Sequence, residues 1–168
     1  SFIEKCKSNG QIGGIYWTPF TDWARDPERT VDAAPEYKYK DIYLYANGKP
    51  QELDGAYAVD PTHPAVEAMM KKTSGLFHRA GFEYVKMDFM THGAMEADRW
   101  YNPEIKTGIQ GYNYGMKLLN QYFGDMYINL SISPVFPAQY AQSRRIACDA
   151  WNQIKDTEYT LNALSYGW

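Results

Sequence analysis

Two helical stripes, each ended by a glycine, enclose the stretch that most limits how this chain can fold. Val66, Met69, Met70, Thr73, Phe77 and Ala80 recur at helical spacing before Gly81, and Ile109, Tyr112, Met116, Leu119 and Phe123 do the same before Gly124. Between them, Phe82-Glu83-Tyr84-Val85-Lys86-Met87-Asp88-Phe89 has the composition of a strand, and Met126 to Ile132 supplies another beyond the second helix. A strand, an amphipathic helix and a further strand make a parallel crossover, so the chain is predicted to be α/β.

The remaining elements fill in around that unit. Ile12 to Trp17 reads as a strand in which Gly13-Gly14 permits close backbone approach. Residues 24–54 form a polar excursion. Within it Asp41-Ile42-Tyr43-Leu44-Tyr45-Ala46 runs into Asn47-Gly48, the preferred pair for a type I′ hairpin. Ala56 to Val59 is a short strand, and Asp60-Pro61-Thr62-His63-Pro64 supplies caps and a first-turn proline for the helix that follows. A long loop contains Gly93, Pro103 and Gly108; Pro134 and Pro137 break the chain after Ile132. Arg144 to Cys148 is a further strand, and a last helix begins near Asp156, with Leu161, Leu164 and Trp168 on it. No strand leads into a glycine-rich phosphate loop, which disfavours a doubly wound nucleotide fold. In a (β/α)8 barrel the functional residues gather at the carboxyl ends of the strands, and Trp17, Asp60, Asp88, Ser133 and Asp149 all fall at such ends.

Composition excludes several classes. A net charge of −3 with no basic patch argues against a nucleic-acid partner, and no run of about 18 apolar residues exists for a membrane helix. Cys6 and Cys148 fit no metal spacing, nor do His63, His78 and His92; no metal and no organic cofactor is implied. The 15 Tyr, 5 Trp and 7 Phe suit sugar rings, but they suit ordinary packing as well. The first residues, Ser1-Phe2-Ile3-Glu4, and the stop at Trp168 within a helical pattern read as cuts, so a longer parent is expected.

Chemistry centres on Asp88. Strand alternation puts Tyr84, Lys86 and Asp88 on one face and Val85, Met87 and Phe89 on the other. An unpaired buried charge costs several kcal/mol, so a carboxylate ending such a strand is either chemical or a cap or ion-pair partner. Asp88 and Asp149, two strand ends apart, would give the two carboxylates that glycoside hydrolysis requires. Arg145 is open to two readings, since Arg144-Arg145 also fits a solvated pair. His78 is expected at the surface; His92 either lines a pocket or packs. Asn129-Leu130-Ser131 matches a glycosylation sequon, discounted because it lies in an expected buried strand.

These residues carry a resemblance. Tyr84-Val85-Lys86-Met87-Asp88 resembles the hydrophobic-Lys-x-Asp strand of glycoside hydrolase clan D, the α-galactosidase families 27 and 36. Ile15-Tyr16-Trp17-Thr18-Pro19-Phe20 is similar to the second barrel strand of those enzymes, and Val59-Asp60-Pro61-Thr62-His63-Pro64 to the end of the third. Arg145-Ile146-Ala147-Cys148-Asp149 resembles the Arg-x-x-x-Asp segment of the sixth. The four segments occur in order and span nearly the whole chain.

The resemblance implies a partial (β/α)8 TIM barrel, about strands 2 to 6, with residues 1–168 as a fragment of one catalytic domain and 24–54 as a hairpin-bearing insertion. It implies a retaining α-glycosidase acting on a carbohydrate substrate, with Asp88 as nucleophile and Asp149 as general acid/base. Trp17, Asp60, Lys86 and Arg145 would bind the sugar. A cation at Lys86 would stabilise the anion a nucleophile needs, and Arg145 would reach a sugar oxygen. Segments matching the first, seventh and eighth strands are lacking, and Asn129 to Pro137 aligns with neither a galactose nor an N-acetylgalactosamine pattern. The remainder of the parent chain would close the barrel, and five strands alone would expose an apolar inner face. Two alternatives stand beside this reading: a non-catalytic carbohydrate-binding module, and an inactive structural part of a larger barrel.

Overall fold

The computed structural model describes residues 1–135, 138–145, 149 and 151–165. At its centre lies a parallel sheet of four strands, in the order β1 (Gly14–Trp17), β2 (Tyr84–Met87), β3 (Tyr127–Leu130) and β4 (Ser143–Arg144). Its longer companions among the described residues are the helices α1 (Phe2–Ser8), α2 (Pro64–Ala80), α3 (Gly108–Phe123) and α4 (Ile154–Ser165). Among the described residues the sheet does not close, and β1 and β4 are its edges. The fold is α/β and corresponds to part of a (β/α)8 barrel.

Local signals explain where the helices begin and end. His63 Nδ1 accepts the Ala65 N–H at 3.1 Å, Pro64 takes the first turn, and Gly81 ends α2 at φ 84°. Thr107 and Gln110 form a reciprocal capping box at the start of α3. Just before β1, a Cβ on Gly13 would stand 2.3 Å from Ile3 Cδ1, so a side chain there would push the Ile3 side chain of α1 aside.

One face of the sheet is covered and the other is open. Val85, Met87, Ile128 and Leu130 are fully buried against Val66 and Met70 of α2 and Tyr112, Met116, Leu119 and Phe123 of α3. Each such side chain contributes on the order of 1.5–3 kcal/mol through burial. By register the opposite face carries Tyr16, Tyr84, Lys86, Tyr127 and Asn129. That face was expected to be apolar; it is aromatic and polar, with Tyr84 and Tyr127 stacked at 5.5 Å. Phe89 departs from the expected packing face, because the strand stops at Met87 and Phe89 turns into the left-handed region at φ 54°. Its ring meets Trp23 edge-on at 4.7 Å.

The expected third barrel strand is corrected. Ala56–Ala58 pairs antiparallel with Thr21–Asp22 and with Glu52–Leu53, and β1 pairs directly with β2. The reason is local: Asp54 (φ 53°) and Gly55 (φ 84°) both adopt the left-handed backbone of a two-residue hairpin, so the nearest chain captures the strand. Residues 18–63 therefore form one excursion between β1 and α2, wider than the expected 24–54. The Asn47-Gly48 hairpin forms as expected, joining Tyr45–Ala46 to Lys49–Pro50, but Tyr39–Ile42 is a helical turn rather than strand. Buried Asp22 ties the excursion together, accepting from Arg29 at 2.5 Å, the Tyr43 hydroxyl at 2.6 Å and the Ala24 N–H at 3.2 Å. The strand expected to reach Cys148 is described only at Ser143–Arg144; Pro137, Cys148 and Trp168 lie outside the described residues.

Candidate functional site

Asp88 follows the last residue of β2, at the carboxyl end of the parallel sheet. Its N–H donates to the Trp17 carbonyl at 2.9 Å, and its Oδ1 accepts the Phe89 N–H at 2.9 Å. The side chain is thus held by the turn that Phe89 makes, and a non-glycine residue in the left-handed region is the kind of backbone strain that gathers at functional sites. The residue is only 6% exposed. Lys86, two positions back on the same face, places Nζ 3.6 Å from Asp88 Oδ2 and 5.7 Å above the Tyr16 ring. Among the described residues no arginine pairs with Asp88 and it caps no helix, so the ion partner it has is Lys86.

Tyr16 binds this group into a larger one. Its phenol is raised above the ordinary value by desolvation first, then by the charge and hydrogen bond of Asp88, against a lowering from Arg145. Arg145 extends β4 by donating its N–H to the Leu130 carbonyl at 2.8 Å, and its guanidinium meets Asp149 Oδ1 at 2.5 Å. Arg144 turns instead to the Pro134 carbonyl, so the two arginines diverge. Tyr16, Lys86, Asp88 and Arg145 therefore share one electrostatic neighbourhood, and Asp149 is tied to it only through its ion pair with Arg145. Asn129 lies in register with Lys86 and donates to Ser143 Oγ at 2.6 Å. Phase alternation finds Tyr16 only once the β1–β2 register is known.

Other expected residues lie elsewhere. Trp17 is on the covered face, in register with Met87, its ring stacked on Phe123 at 5.6 Å and edge-on to Phe77 at 6.4 Å; it packs the core. Asp60 has both oxygens committed: Oδ1 accepts from the Thr62 N–H and hydroxyl at 2.8 Å each, and Oδ2 from the Tyr101 N–H at 2.6 Å. It borders a separate cleft of about 630 Å³. His92 is fully buried rather than lining a pocket, with Nδ1 3.0 Å from the Phe89 carbonyl and Nε2 2.8 Å from that of Leu53. His78 is half-buried and engages Asp125 at 2.6 Å. Trp23, beside Phe89 and 45% exposed, is an aromatic near Asp88 that strand alternation does not single out. Among the described residues no three His, Cys, Asp or Glu side chains converge to hold a metal, and no helix is long and apolar enough to cross a membrane.

Comparison with known proteins bears on the fold. No protein-family model and no curated protein matches the sequence. Among solved structures, the chain is similar to TtGalA, an α-galactosidase from Thermus thermophilus bound to stachyose. The TM-score is 0.68 at 20% identity, over 95% of this chain and 35% of that one. It is also similar to the GH36 α-galactosidase AgaB from Geobacillus stearothermophilus, with a TM-score of 0.64 at 17% identity over 94% of this chain and 23% of that one. An isomalto-dextranase from Arthrobacter globiformis T6, complexed with panose, has a TM-score of 0.56 at 20% identity, over 89% of this chain and 27% of that one. The chain thus has the fold of part of these α-galactosidase structures and spans about a third or less of the structures it matches.

Proposed function

We propose that residues 1–168 form part of a single barrel catalytic domain of a retaining, α-galactosidase-like α-glycosidase that hydrolyses terminal α-linked sugars. The observation that carries this reading is the Lys86–Asp88 pair beside Tyr16, a phenol that also feels the Arg145 charge, at the carboxyl end of a parallel sheet. Asp88 attacks the anomeric carbon while Asp149 gives a proton to the departing oxygen, which leaves as an alcohol. Water then attacks the glycosyl-Asp88 ester, with Asp149 taking the water proton, and the free sugar departs. Lys86 stabilises the Asp88 carboxylate and donates to a sugar hydroxyl. For Asp149 to carry a proton, Arg145 must exchange it for a substrate oxygen, so the ion pair at 2.5 Å parts as sugar binds. A retaining reaction requires the two carboxyl groups about 5–5.5 Å apart in the sugar complex.

A second reading draws on that same pair: a site whose acid is engaged by arginine also suits a non-catalytic sugar-binding module. Asp88→Asn in the full-length protein separates them. For the enzyme, hydrolysis of an aryl α-galactoside is abolished while sugar binding persists. A variant that retains wild-type turnover would contradict the nucleophile assignment.

A further inference from the structure

We infer that the cleft beside the start of α2 is a second saccharide site, separate from the Asp88 group, that takes a neutral oligosaccharide. None of Tyr16, Lys86, Asp88, Arg145 and Asp149 lines it, so it goes beyond the proposed hydrolysis and stands without it. Its volume of about 630 Å³ falls within the ~300–1,000 Å³ of small-molecule sites. Tyr45 and Tyr101 supply aromatic wall, the surface on which the apolar face of a pyranose packs, and the largely buried Trp100 reaches the same lining.

The polar lining fixes the ligand class. Lys40 is held by Glu28 at 2.8 Å, Asp41 accepts the Lys38 N–H at 2.8 Å, and the oxygens of Asp60 are committed to Thr62 and Tyr101. Arg99, which also lines the cleft, has no hydrogen bond or ion pair among the described residues. A guanidinium offers five N–H donors and no acceptor, so it calls for a ligand rich in oxygen acceptors. Carboxylate and phosphate are the usual partners of a free arginine. Here Asp41 and Asp60 balance Arg99 and Lys40 in the same wall, which removes the net attraction for an anion and leaves a polyhydroxyl ligand favoured.

The wall is also preorganised. The Tyr101 N–H to Asp60 bond at 2.6 Å and the Asn102 N–H to Thr62 Oγ1 bond at 3.1 Å clamp the loop after β2 onto the entrance of α2. The His63 ring is wedged edge-on against Tyr101 at 4.5 Å and Tyr37 at 4.7 Å, and burial lowers its pKa, so it stays neutral in the wall at pH 7. A wall already fixed loses little entropy when a ligand arrives.

The test is a stachyose titration of the full-length Asp88→Asn protein carrying 5-fluorotryptophan, read at the Trp100 fluorine resonance, which is assigned by its loss in Trp100→Phe. Stachyose is expected to shift that resonance saturably. Arg99→Ala should raise the midpoint tenfold or more, the scale of one lost charge-assisted hydrogen bond, with Arg99→Lys in between. Arg99 is exposed, and a thermal melt of each variant checks that the fold is intact. Three results would overturn the inference: no Trp100 shift at about 10 mM sugar, beyond the weak end of specific binding; an Arg99→Ala midpoint equal to the parent's; or tighter binding of trigalacturonate than of stachyose. Because catalysis is already removed, failure here is distinct from failure of the proposed hydrolysis.

Discussion

Lys86 stands 3.6 Å from Asp88 on the same strand face, and its Nζ sits above the Tyr16 ring. Lys86→Met should lower kcat/KM of the full-length enzyme by about 2–3 kcal/mol, tens- to hundreds-fold, since contacts to charged groups are worth that much; an unchanged kcat/KM would remove Lys86 from the site. Away from the site, His78 and Asp125 form a pair with its own pH signature. The hydrogen bond to Asp125, then the Ser74 carbonyl, raises His78, while the same hydrogen bond lowers Asp125. A raised histidine contributes stability fully present below its unfolded pKa of ~6.5 and lost as pH rises through its higher folded value; the lowered aspartate contributes above ~3.9 and loses it as pH falls further. His78→Ala should therefore reduce the melting temperature most near pH ~5–6 and least near pH ~8; a deficit that grows toward pH 8 would contradict this. Single residues were legible where period 2 alone decides, as at Lys86 and Asp88. Trp17 and Tyr16 were not, because which neighbour shares the Lys86 face depends on cross-strand register, which one strand's alternation does not contain.

Among elements, the turn after β2 depends most on one buried side chain. His92 bridges the Phe89 carbonyl, next to Asp88, to the Leu53 carbonyl in the 18–63 excursion. His92→Phe removes the imidazole donor from this contact, while the Phe89 carbonyl keeps the backbone N–H of position 92 at 3.3 Å, and should reduce urea-unfolding stability by about 1–3 kcal/mol while slowing turnover through a displaced Asp88. Stability within about 0.5 kcal/mol of the parent would deny the bridge its role. The helices were readable because their stripes, caps and Gly81 are written locally in sequence. The strand at Ala56–Ala58 was assigned to the wrong sheet, since Asp54-Gly55 lets it pair with its own neighbour and hydrophobicity does not record the partner.

At the scale of the whole molecule, the alternation of strand and helix was enough to give a parallel α/β sheet, and the amphipathic stripes of α2 and α3 to give its covered face. The open face was not readable, because Tyr16, Tyr84 and Tyr127 serve equally as core or as surface in composition. With the outer edges of β1 and β4 unpaired among the described residues, residues 1–168 by themselves should associate through these edges and lack activity. Sedimentation velocity checks this, and a monomer that hydrolyses an aryl α-galactoside would contradict it. The central claim is that Asp88 forms the covalent bond to sugar. Treating the full-length protein with an activated 2-deoxy-2-fluoro α-glycoside and mapping the labelled peptide by mass spectrometry tests it most directly. The account predicts one fluorosugar adduct per chain, on Asp88; an adduct on another carboxylate, or turnover of substrate with no adduct trapped, would contradict it.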